Sequence, residues 1–242
     1  MTDTAIRRRA GLLIFPGLTA LDMIGPWEVF LRLPGWAPVA IGLDDQPIAA
    51  DGRLMITPQA TIADCPPLDL LIVPGGGGVD ALLDRPDVLD FVRSRAGAAE
   101  FGVASVCTGA LVLGAAGLLR GRRAATHWAS RPLLAALGAE PSADRVVIDG
   151  PVATGGGVTA GIDIALALAA RIAGPDIAAA AELAIEYAPE PPMGAGRPEL
   201  APPAVLAMVE TAFADRIAAR RRLVEAAADF PAALSSARSR LA

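Results

Sequence analysis

Short apolar runs alternate with longer segments of helical spacing along most of this chain. Gly11–Phe15, Val39–Leu43, Leu68–Val73 and Val103–Val106 are mostly apolar and bounded by turn residues, the pattern of strands covered on both faces. After Asp22, the residues Met23, Trp27, Phe30 and Leu31 recur at helical spacing, and Pro26 suits that helix only near its first turn. Val88–Ala99, Ala110–Leu119 and Arg131–Leu137 read as helices, and Leu54–Thr57 and Arg123–Thr126 as strands. Arg145–Ile148 and Val152–Thr154, joined at Asp149-Gly150, predict a hairpin. Gly161–Ala173 and Ile177–Tyr187 are two helices broken at Gly174-Pro175. A Pro- and Gly-rich connector, Pro189–Pro198, precedes one long helix over Ala204–Ala228.

Strands alternating with helices predict an α/β fold with a doubly wound, mostly parallel sheet flanked by helices. A single domain fills residues 1–242, with 199–242 as a C-terminal helical extension. In such sheets ligands bind at the carboxyl ends of the strands. Asp22, the Gly75–Gly78 turn and Cys107 each follow a predicted strand, so the topology lets all three converge.

Composition narrows the function. With 53% hydrophobic and 19% charged residues in 242, the chain can bury a large core. A net charge of −5 argues against nucleic acid as a partner. The basic run Arg220–Arg222 is flanked by Asp215 and Glu225 and reads as a solvated helix face. No run has the length and flanks of a membrane span or a signal peptide. Two cysteines, Cys65 and Cys107, give no disulfide framework, so the expected compartment is the reducing cytoplasm. A single histidine, His127, excludes a histidine-based metal site.

The sharpest chemical signal is Phe101–Gly114, which reads as a buried strand, a turn carrying Cys107, then an apolar helix. This is the cysteine counterpart of a nucleophile elbow, where the helix dipole and free amides favour a thiolate. The plainer reading is a buried, inert cysteine. Asp22 is either the N-cap of its helix or an acid/base partner for the thiol. A carboxylate beside a thiolate is repelled, so one of the pair should hold a proton. The glycine run can aim backbone N–H groups at developing negative charge, with Gly76 and Gly77 as the expected donors. It is not a dinucleotide fingerprint. Thr108 offers a hydroxyl for a substrate atom or water, and His127 either assists Cys107 or is structural. Cys65 reads as structural, and Asp163 as an acid favoured by its helix N-terminus.

Several stretches carry a resemblance across nearly the whole chain. They are Phe15-Pro16 with Leu21-Asp22 and Gly25-Pro26, Ala63–Asp69, Val73–Gly76, Ser105–Gly109, Ala125–Trp128, Thr154–Asp163 and Glu186–Pro189. With these the chain resembles the ThiJ/PfpI superfamily, a flavodoxin-like sheet of the class I glutamine-amidotransferase type, and most of all its isonitrile-hydrating branch. The pairing of Cys107-Thr108-Gly109 with Leu21-Asp22 carries the distinction, since other branches typically have Cys-His or a Glu in place of the Asp. The resemblance implies a nucleophile at Cys107, an acid/base at Asp22 and a substrate-site hydroxyl at Thr108; Gly76, Gly77 and Ile24 are the expected substrate- or oxyanion-binding residues. It also implies a small isonitrile substrate hydrated to a formamide, a homodimer, and no cofactor or metal. Gly77-Gly78 departs from the pattern, which has a bulkier or polar residue first. The alternatives on the same fold are a small-ligand or redox sensor and an enzyme of α-oxoaldehydes. A regulator with an appended helix-turn-helix module is disfavoured, because the residues after 198 read as one helix.

Overall fold

The structure, a computed structural model, describes residues 8–238. Its centre is a seven-stranded sheet: β1 (Arg8–Leu13), β2 (Trp36–Gly42), β3 (Ala60–Thr61), β4 (Leu70–Val73), β5 (Val103–Ser105), β6 (Val146–Asp149) and β7 (Val152–Gly155). The spatial order is β6-β7-β5-β4-β1-β2-β3. All neighbours are parallel except the β6–β7 hairpin, which turns at the predicted Asp149-Gly150. The central strands β4 and β5 are buried at every residue, which is why they read as apolar runs rather than alternating ones.

Helices α1 (Ala20–Phe30), α2 (Pro86–Ala98), α3 (Gly109–Ala115), α4 (Ala160–Ala173) and α5 (Pro175–Ala184) flank the sheet, and Gly174-Pro175 separates the last two. Helix α1 packs on α4, with the Pro26 ring beside Gly161. Pro26 sits in the middle of α1 rather than in its first turn, and this close packing holds the proline there. Two expected strands stay outside the main sheet. Arg123–Ala124 pairs with Glu140–Pro141, and Met55–Ile56 pairs with Ile48–Ala49. The segment expected as a helix at Arg131–Leu137 is a 3₁₀ helix over Trp128–Leu137 that accommodates Pro132.

The C-terminal segment forms one helix, α6 (Pro203–Arg238), which packs on the Trp128–Leu137 helix and on α3. Its contact stripe includes Arg220, Val224 and Ala227, all buried. The solvated-face reading therefore holds for Arg221 and Arg222 but not for Arg220, which is 4% exposed. Among the described residues no helix is long and apolar enough to cross a membrane.

Candidate active site at the strand ends

Strands β1, β4 and β5 lie side by side, so the segments leaving their carboxyl ends meet. Strand β5 ends at Ser105 and α3 begins at Gly109, leaving Cys107 on a tight elbow at φ +54°. The left-handed conformation is unfavourable for a residue with a Cβ, by about 1–2 kcal/mol. Flanking bonds hold it there. The Cys107 amide donates to the Gly156 carbonyl at 2.8 Å, and the Thr126 hydroxyl donates to the Cys107 carbonyl at 2.7 Å.

Asp22 is the third residue of α1, not its N-cap, which is Thr19. Its side chain is fully buried and accepts a hydrogen bond from the Gly75 amide at 2.8 Å. Its other oxygen, Oδ1, is buried without a partner. The carboxyl lies against the Cys107 sulfur. Burial raises the Asp22 pKa to about 7, partly offset by the Gly75 amide and the Cys107 thiol. Burial and then the neighbouring Asp22 charge push the Cys107 thiol up to about 12. The Thr108 amide and hydroxyl reach the sulfur and pull the other way, but they do not prevail. The elbow and the first turn of the short α3 favour a thiolate, while burial and the neighbouring carboxylate oppose it. Burial thus pushes both groups toward their protonated forms, so the pair holds a proton between them.

The glycine turn is mostly committed to holding these groups. The Gly76 amide donates to Thr108 Oγ1 at 3.0 Å, and the Gly78 amide donates to the Gly17 carbonyl at 2.9 Å. Gly76 therefore positions Thr108 rather than offering its N–H to substrate. Gly77 lines the cavity above Cys107, and a Cβ there would meet open space. The bulkier residue expected at this position would thus fit, and glycine leaves the cavity wider. A Cβ on Gly75 would lie 2.5 Å from the Thr108 amide nitrogen and 2.8 Å from Asp22 Oδ2. Gly75→Ala is expected to displace both groups and lower turnover about 100-fold, while circular dichroism stays that of the folded chain. Unchanged turnover would show that Asp22 is placed by other contacts.

The cavity over Cys107 holds about 140 Å³ and is lined by Cys107, Thr108, Gly76, Gly77, His127, Ala129, Val158, Phe213 and Ile217, with Thr19, Asp51, Ser130, Arg216 and Arg220 completing the wall. It is small, and the patch over the nucleophile is mainly apolar. Ile24 is not part of it. Two residues along α1 from Asp22 and turned to another face, its side chain is 38% exposed and lines a separate shallow groove with Leu21, Ile162 and Tyr187. His127 caps the Trp128–Leu137 helix, its Nδ1 accepting from the Ala129 amide at 3.3 Å. Burial and the positive charges of Arg220 and Arg131 lower its pKa, so the ring is neutral at pH 7. A larger cavity of about 250 Å³ shares His127 and Val158 but contains neither Cys107 nor Asp22. Cys65 is half-buried, with its thiol donating to the Pro66 carbonyl. Asp163 accepts from Arg145 and from the Tyr187 hydroxyl, so it is a network member and not merely a helix-start acid. Among the described residues no cluster of three His, Cys, Asp or Glu is placed to hold a metal.

The sequence missed the contribution of α6. Phe213, Ile217, Arg220, Val224 and Ala227 recur at spacings of four and three, a one-sided stripe that marks a packing face. The charge run around Arg220 obscured it.

A sequence profile of the DJ-1/PfpI family matches residues 8–171. A protein of Pseudomonas putida named isonitrile hydratase is 47% identical over 218 residues, which cover 90% of this chain and 95% of that one. A crystal structure of a ThiJ/PfpI family protein from Pseudomonas syringae superposes with a TM-score of 0.86 at 36% identity, covering 93% of this chain and 92% of that one. Drosophila melanogaster DJ-1beta shares the fold at a TM-score of 0.67 and 24% identity, over 75% of this chain and 99% of its own.

Proposed function

The chain belongs to the DJ-1/PfpI family, and from that premise we propose that it is an enzyme hydrating isonitriles to N-substituted formamides through a thioimidate on Cys107. The observation that carries this is the buried Asp22–Cys107 pair, whose Cys107 borders a small, largely apolar cavity while Asp22 lies buried behind it. An isonitrile is neutral and linear, and its terminal carbon accepts both a nucleophile and a proton. A thiol with an adjoining carboxylate supplies both at one point.

The steps balance on these residues. The Asp22 carboxylate takes the thiol proton as the sulfur bonds the terminal carbon, and delivers that proton to the same carbon. The product is the thioimidate R–N=CH–S–Cys107. Water then adds to this carbon, one of its protons passing through Asp22 to the nitrogen. The C–S bond breaks as the carbonyl forms, the hydroxyl proton returns to sulfur, and R–NH–CHO leaves. Each turnover ends with the pair carrying the proton it started with. Thr108, within reach of the sulfur by amide and hydroxyl, stabilises negative charge there as the bond forms and breaks. Two free cysteines, which a reducing cytoplasm would keep as thiols, support a cytoplasmic setting for the reaction.

The test is to mix the purified protein with an aryl isonitrile, follow formamide by chromatography, and quench for intact mass. Saturable formamide formation is expected, with a transient adduct equal to enzyme plus isonitrile that maps to Cys107. No formamide from either aryl or alkyl isonitriles would overturn the reading.

The pH dependence follows from the same pair. The active form carries one proton, so Asp22 must be ionised before sulfur attacks. kcat/KM is therefore expected to rise with pH with a midpoint near the Asp22 value of about 7, then level off. A flat profile between pH 5 and 9 would show that Asp22 is not the base.

A further inference from the structure

We propose that α6 is the selector of the isonitrile substituent: Phe213 and Ile217 form the wall that limits its size, and Arg220 is the positioning residue that fixes this wall over Cys107. The inference rests on the reaction proposed above. It adds what part of the chain decides which isonitrile enters.

Three observations carry it. First, the reacting groups and the wall come from different parts of the chain. Asp22, Cys107 and Thr108 lie within the family-matched residues 8–171, whereas α6 begins beyond them, at Pro203. Second, the wall residues border the same cavity as the nucleophile, and Phe213 is held in place. Its ring packs against His127 and Trp128 at centroid distances of 5.8 and 6.2 Å. Third, α6 is bolted to the catalytic turn by a buried cation. The Arg220 guanidinium donates through Nε to Asp80, through Nη1 to Ser130 Oγ at 3.3 Å, and through Nη2 to the Gly76 carbonyl at 3.3 Å. One side chain thus ties α6 to the 3₁₀ helix Gly77–Leu82 through Asp80, to the Trp128–Leu137 helix through Ser130, and to the glycine that holds Thr108. The Gly76 carbonyl also accepts from the Thr108 hydroxyl at 3.2 Å. By supplying that carbonyl with another donor, Arg220 lets the Thr108 hydroxyl turn toward sulfur.

The linear R–N≡C axis makes the wall effective. With its terminal carbon at Cys107, a rigid substituent must project away from the sulfur and cannot fold back. In a cavity of about 140 Å³ the facing wall sets the limit, and its apolar residues favour a flat apolar group of about one ring.

The test uses the full chain and two independent series. In the first, kcat/KM is measured for isonitriles from methyl through phenyl to 2-naphthyl, in the wild type, Phe213→Ala, Ile217→Ala, Arg220→Ala and Arg220→Lys. Phe213→Ala and Ile217→Ala are each expected to raise the naphthyl-to-methyl ratio of kcat/KM at least tenfold. Arg220→Ala should flatten the size dependence of the whole series, and Arg220→Lys, keeping a cation against Asp80, should restore part of it. In the second series, the rate of Cys107 alkylation is measured with maleimides of rising N-substituent size. The wild type should discriminate against the large reagents, and Phe213→Ala should lose that discrimination. This arm reads the wall without any isonitrile chemistry. Absent isonitrile turnover with size-selective alkylation relieved in the variants would overturn the reaction and keep the selector. Ratios within twofold of wild type in Phe213→Ala and Ile217→Ala, with alkylation equally size-blind or equally size-limited in all proteins, would overturn the selector.

Discussion

Cys107→Ala is expected to yield no formamide and Cys107→Ser to lose about 10³-fold or more in turnover, the scale of loss when a covalent nucleophile is removed. The serine case is the more instructive. Its hydroxyl occupies the same elbow at φ +54°, between the same Gly156 and Thr126 bonds, so geometry is retained. What is lost is acidity and nucleophilicity, because a carboxylate titrating near 7 cannot deprotonate an alcohol to a useful extent. Both variants should melt within a few degrees of the wild type, since only one small buried group changes. Parallel assays of formamide and thermal unfolding separate the two effects. Turnover in folded Cys107→Ala at wild-type rates would remove the covalent mechanism.

The second large effect is on Asp22. Asp22→Asn keeps an oxygen to accept from the Gly75 amide but can neither take nor return a proton, so turnover should drop 10²- to 10⁴-fold. The rising limb of the pH profile should vanish with it. The same change should make the protein more stable at alkaline pH. Burial raises the carboxyl from 3.8 to about 7, so between these values the folded chain binds more protons than the unfolded one. Stability from this group is intact below about pH 4 and declines as pH climbs to about 7. Above that a constant deficit remains, at most about 4 kcal/mol. Asparagine has no such deficit. Melting curves should therefore coincide near pH 4 and favour Asp22→Asn by several degrees at pH 8. A variant that melts lower than the wild type at pH 8 would show that the carboxylate is stabilised by contacts stronger than its desolvation.

The opposite demands on Asp22 explain which parts of the site could be read from the sequence. Strand runs, the elbow at Cys107, the glycine turn and the β6–β7 hairpin are local patterns, and each appears where its residues predicted it. The parallel order then brings Asp22 and Cys107 together as a consequence of topology. The sequence shows that one of the pair should hold a proton, but not how strongly each is pushed, because that depends on how deeply the pair is buried, a sum over distant packing residues. Ile24 faces a groove away from Cys107 for a related reason. It is two residues from Asp22, and on a helix that spacing turns a side chain to another face. Gly76 was given the wrong partner because a sequence does not show that the Thr108 hydroxyl would claim its amide. Arg220 was hidden among its exposed neighbours Arg221 and Arg222, although the stripe from Phe213 to Ala227 was there to be read.

The three strand ends that carry the chemistry are adjacent, in the middle of a seven-stranded sheet, while α6 rests on the outside through one stripe. Amide hydrogens on β1, β4 and β5 therefore exchange only when the whole sheet opens, and those on α6 exchange through a smaller, cheaper opening. As denaturant rises, the helix is expected to detach first, visible as early loss of protection on α6 in hydrogen exchange. Over that interval the molecule keeps an intact Asp22–Cys107 pair beneath an open mouth, a reactive thiol that no longer distinguishes one guest from another.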